Sequence, residues 1–199
     1  IIAAYYTFSA GMESMIMIGS VGGLILAIVT IFKKEWAPYT VPFYAILEGL
    51  ALGSLSYIYD VQYDGIVLQA ISITVLVLFS LLFAYRSKII KPTENFKLGL
   101  FAATGGIFLL YLISFVMSFF GSGISLLSPN NSSMLSIGLS FGIVIIAALN
   151  LVIDFDFIEE GSEKGAPKYM EWYGAFGLLV TLIWLYLELL RLLAKMKNR

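Results

Sequence analysis

Few residues in this sequence can do chemistry, and those that can are carboxylates held in apolar surroundings. Glu48 lies within the run Val41–Tyr59, Asp154 and Asp156 follow directly on the run Met134–Ile153, and Glu188 interrupts the run Trp172–Leu190. An ionised side chain at the centre of a bilayer costs about 2.5–3.5 kcal/mol on insertion scales, so a retained acid needs a partner, a water-filled cavity or a bound proton. Two carboxyl groups that share a low-dielectric site can hold one proton between them near neutral pH. Deprotonated, they form an oxygen site for a hard cation. The chemistry expected of Glu48 and Asp154 is therefore a pH-gated cation path, with the two as candidate ligands.

Helical geometry ranks the candidates. Glu48 sits about 10 Å along a helix from Val41 at 1.5 Å per residue, too deep for a short side chain to reach the interface. Its neighbours Ala45, Ala51 and Ser56 are small and admit a second helix close to that face. Asp154 and Asp156 are two residues apart, about 200° around the axis, so they face opposite ways. Asp154 shares a stripe with Asn150 and Ala147, whereas Asp156 follows Val152 towards a charged loop. Glu188 lines up with Thr181, Trp184 and Arg191, and an i,i+3 ion pair with Arg191 accounts for it.

The composition states what must position these groups. Of 199 residues, 60% are hydrophobic and 13% charged, and mean hydropathy is +0.93. That describes an all-α, polytopic integral membrane protein folded as one transmembrane bundle over 1–199. A net charge of −1 offers no footprint for nucleic acid. With no Cys and no His, disulfides, thiolates, imidazole bases and the common zinc, haem and iron–sulfur ligation are ruled out, and no resident cofactor is expected. No catalytic residue is expected either. Gly121-Ser122-Gly123 has no histidine anywhere to activate its serine, a Gly-x-Gly-Asp protease signature is missing, and Asp154 and Asp156 face apart on one helix.

Apolar runs at Ser14–Phe32, Val41–Tyr59, Gly65–Tyr85, Leu98–Phe120, Met134–Ile153 and Trp172–Leu190 predict six spans. Pro38 and Pro42 punctuate the start of the second. Ile1–Ala10 is apolar but too short to cross, as expected of a truncated first helix. The loops 33–40 and 86–97 hold six Lys and Arg, whereas 60–64 and 121–133 hold none, which places the first pair in the cytoplasm. By alternation the basic tail after Leu190 then lies outside, so the last run either re-enters or crosses against the rule. Pairs at Gly19/Gly23, Gly49/Gly53 and Gly138/Gly142 predict close helix packing.

Certain stretches resemble a known family. Trp36-Ala37-Pro38, Tyr44-Ala45-Ile46-Leu47-Glu48-Gly49, Ala103-Thr104-Gly105-Gly106, Asn150-Leu151-Val152-Ile153-Asp154-Phe155-Asp156-Phe157-Ile158-Glu159 and Ala166-Pro167-Lys168-Tyr169-Met170-Glu171-Trp172-Tyr173 together resemble the Bax inhibitor-1 family in its bacterial YccA-like branch. The resemblance implies a seven-helix bundle with its last helix central, in a bacterial plasma (inner) membrane. It also implies a pH-sensitive calcium leak governed by an aspartate pair on the sixth and seventh helices. Asp154 matches the first aspartate, while ungapped alignment through Leu189-Leu190-Arg191 puts Thr181 at the second. Glu48, Glu171 or Glu188 then supplies the missing carboxylate, and Lys33 takes the place of a basic latch partner for the sixth-helix acid. An interaction protein that modulates a membrane protease complex is the alternative that the same branch implies.

Overall fold

The computed structural model describes residues 2–12, 14–121 and 123–199. Ser122 of the Gly-Ser-Gly sequence lies outside them. Seven α-helices occur among the described residues: α1 (Ile2–Ala10), α2 (Met15–Phe32), α3 (Ala37–Gln62), α4 (Ile66–Arg86), α5 (Glu94–Ser118), α6 (Met134–Glu163) and α7 (Tyr169–Lys197), with 3-10 turns at Lys34–Trp36 and Ser125–Leu127. No strand occurs among the described residues. Six helices, α2 to α7, are long and apolar enough to cross a membrane. The protein is thus an all-α, multi-pass integral membrane protein whose apolar helices meet lipid.

Local sequence explains the boundaries. Helix α5 begins where Thr93, after Pro92, accepts a hydrogen bond from the Phe96 amide at 3.3 Å. Between α3 and α4 the turn is tight, and Gly65 takes φ of 71°, a conformation that costs glycine nothing. The punctuation expected from two prolines is corrected: α3 already starts at Ala37, with Pro38 in its first turn and Pro42 inside it. Proline in the first turn gives up an amide that has no helical partner anyway. Helices α6 and α7 also outrun their apolar segments, to Glu163 and Lys197. Backbone hydrogen bonding continues through charged residues once the chain reaches the polar interface.

The chain divides into two compact units, Ile1–Val67 with Phe157–Val180, and Leu68–Asp156 with Thr181–Arg199. In the first unit, glycines bring backbones together. A Cβ at Gly19 would lie 2.4 Å from the Leu47 carbonyl and 2.7 Å from the Ala51 amide, and one at Gly53 would lie 2.1 Å from the Ala4 carbonyl. Helix α3 therefore packs closely on α2 along one face and on α1 along another. Hydrogen bonds reinforce both contacts: Thr30 donates to Thr40 at 2.7 Å, Thr7 to the Leu50 carbonyl at 3.1 Å, and Ser54 to the Met12 carbonyl at 2.7 Å. Tyr44 of α3 meets Phe176 of α7 edge to face at 5.1 Å.

The second unit is tied by polar side chains instead. Gly138 and Gly142 have nothing within 4 Å of the positions their Cβ atoms would take, so the close approach expected there is absent among the described residues. Helices α6 and α7 run antiparallel, with Ser140 beside Lys195 near the start of α6 and Asp154 beside Thr181 further along. Of the six long helices, α7 has the largest buried share in its apolar window.

Candidate functional site

Helix α5 carries Lys97, Thr104 and Tyr111 at intervals of seven residues, two helical turns or about 10 Å each, and so on one stripe. Each meets a polar side chain from α6 or α7. Lys97 Nζ lies 2.6 Å from Asp156 Oδ2, and the Tyr85 hydroxyl of α4 reaches Oδ1 at 3.4 Å. Asn150 Nδ2 donates to Thr104 Oγ1 at 2.9 Å. The Tyr111 hydroxyl donates to Glu188 Oε1 at 2.6 Å, and Arg191 Nη1 donates to both Glu188 oxygens at 2.9 and 3.0 Å. The result is a column of polar contacts along α5, α6 and α7, all within the second unit.

Asp154 lies on this column one helical turn from Asn150. The Thr181 hydroxyl reaches its carboxyl group, but Oδ2 is buried and has no hydrogen-bond partner among the described residues. Every other carboxylate on the column has a cationic partner: Lys97 for Asp156, Arg191 for Glu188. A buried oxygen without a partner is costly and attracts a proton or a cation. The opposite facing of the two aspartates explains their different company, since Asp156 turns to α4 and α5 and Asp154 to α7.

The other candidates belong to the first unit. Glu48 packs against α2 at Gly23, where a Cβ would stand 2.6 Å from its Oε1. Of the small neighbours expected to admit a helix, Ala51 meets α2 at Gly19 and Ser56 is buried, whereas Ala45 is exposed. Glu171, exposed in the first turn of α7, lines an open groove of about 640 Å³ at the α6–α7 turn together with Phe157, Glu160, Lys164 and Met170. Lys164 and Glu160 are ion-paired there. Lys33 is exposed, with its ammonium 4.5 Å from the Trp36 ring centre. No group of three acids that could hold a metal ion occurs among the described residues. An ion at Asp154 or Glu48 would draw its remaining oxygens from water, amides, hydroxyls or carbonyls.

Lys97, Thr104 and Tyr111 stand on the column without being among the candidates read from the sequence, although their seven-residue spacing is a signal of a shared face. Lys195, within the basic tail, is fully buried.

A family model described as Bax inhibitor 1 like matches residues 1–198. No curated protein and no solved structure matches the chain significantly.

Proposed function

We propose that the chain, which belongs to the Bax inhibitor 1 like family, is a pH-sensitive leak for calcium or another cation, gated by carboxylates inside its apolar helices. The observation that carries this reading is the buried, unpartnered Oδ2 of Asp154, set in a polar column between the Lys97–Asp156 pair and the Tyr111–Glu188–Arg191 cluster. A polar line through apolar helices lowers the cost of a charge along it, because hydroxyls, amides and carboxylates replace lost water. Asp154 supplies the step at which a bound proton and a passing cation compete. Thr181 offers a hydroxyl there in place of a second acid. Glu48 is included in the gate on the strength of its place within an apolar helix, and E48Q tests it.

The proposed setting is a bacterial inner membrane. Purified protein in liposomes, loaded with a calcium or a proton indicator, tests the reading. Flux that depends on the protein and on pH is expected between about pH 5 and 8, and no passage of either ion over that range would sink it. One observation favours a second reading, in which the protein binds and modulates a membrane protease complex: the open groove at Phe157–Glu171 offers apolar and charged groups to a protein segment.

A further inference from the structure

Lys195 is 0% exposed, and its ammonium has three oxygen neighbours: the Leu126 carbonyl at 2.7 Å, the Ser140 hydroxyl at 2.8 Å and the Ser136 carbonyl at 3.4 Å. An ammonium has three N–H donors, so the arrangement uses all of them. Ser136 and Ser140 are themselves buried, and the Ser136 hydroxyl donates to the same Leu126 carbonyl at 2.8 Å. Leu126 belongs to the 3-10 turn Ser125–Leu127 in the segment between α5 and α6, and Asn198 beyond α7 donates to Pro129 O in that segment at 3.2 Å. Arg191 and Glu188 are the charged groups near Lys195 on its own helix.

Two backbone carbonyls and a hydroxyl, fixed on three sides of one point, are the ligand type that strips water from small cations. We propose that Leu126 O, Ser136 O and Ser140 Oγ form a cation site for a primary ammonium or a monovalent ion, and that Lys195 is its built-in occupant. By filling the site from α7, Lys195 holds the Ile124–Ser128 segment against the start of α6. With the lysine side chain removed, the same oxygens would remain as ligands for a free cation. This inference rests on the geometry of that one end of the second unit and does not require that ions cross the protein.

Chemical rescue tests it. In detergent, K195A should lose on the order of 5–10 °C in melting temperature, because three oxygens each lose one donor and the fully buried lysine stem leaves a void. Adding n-propylammonium, which restores the three missing carbons and the charge, should recover at least half of that loss in a saturable way. Tetraethylammonium, with the same charge and no N–H, should recover none. Wild type should respond to neither. Failure of n-propylammonium to stabilise K195A, or equal stabilisation by tetraethylammonium or of wild type, overturns the proposal. If K195A does not yield folded protein, S140A provides the reading. Removal of one ligand should speed hydrogen exchange at the Leu127 and Ser128 amides roughly tenfold relative to wild type, and unchanged exchange there overturns the site.

Discussion

Lys97 Nζ stands 2.6 Å from Asp156 Oδ2, and this ion pair separates the roles of two neighbouring aspartates. Asp156 is compensated by a cation on α5. Asp154 has a hydroxyl beside it and one oxygen with no partner among the described residues. A charge already paired is poorly suited to exchanging protons and ions, which is why the proposed gate is Asp154 and the proposed anchor Asp156.

The pair should behave as an anchor of modest worth. With both side chains just over a fifth exposed, K97M or D156N should cost about 1 kcal/mol, and the double variant should cost no more than the larger single one. Thermal melts of the three variants check this. A pH profile of flux in D156N that matches wild type would support the division, whereas a lost profile would move the gate to Asp156.

Removing Glu188 should be far more damaging. Its side chain is 3% exposed and accepts from both Tyr111 and Arg191. E188A leaves a guanidinium without its counter-charge, at a cost of about 3 kcal/mol. The double replacement E188M/R191M, which removes both charges and fills the space, should recover most of that loss. Equal melting temperatures for E188A and wild type would contradict the account of this cluster.

Glycine substitutions should divide by position. G19A drives a Cβ into the Leu47 carbonyl and the Ala51 amide, so α2 and α3 must separate, at about 1–3 kcal/mol. G142A meets nothing within 4 Å and gains helix propensity, so it should be neutral or stabilising by up to about 1 kcal/mol. Melting curves that rank the two the other way round would refute the assigned packing.

The glycines also mark what was legible in the sequence. Gly19/Gly23, Gly49/Gly53 and Gly138/Gly142 share one spacing, yet only the first two pairs meet other helices closely. Spacing defines a face of small residues, and the tertiary arrangement decides whether a helix covers it. The six long helices could be read from apolar runs, because lipid imposes length and apolarity directly. Their ends could not, since α6 and α7 continue through acids and lysines to Glu163 and Lys197. The split between Asp154 and Asp156 followed from 3.6 residues per turn. The partners did not, because Lys97 and Thr181 come from helices remote in sequence.

The tail shows why charge counting left two choices open. The end of α7 lies against the segment between α5 and α6, through Lys195 and Asn198. That segment has no basic residue, so the four basic residues of the tail lie beside a stretch that carries none. Part of the tail's charge is compensated internally: Arg191 by Glu188, Lys195 by oxygens of Leu126, Ser136 and Ser140.

The gate itself is tested most directly at Asp154. Wild type and D154N, reconstituted in liposomes at equal protein density, should be compared for calcium and proton flux between about pH 5 and 8. Asparagine keeps the size of the side chain and removes its titration. The account predicts that D154N loses the pH dependence of flux, while E48Q shifts or weakens it. Flux in D154N with the same magnitude and the same pH midpoint as wild type would contradict the claim that Asp154 is the gate.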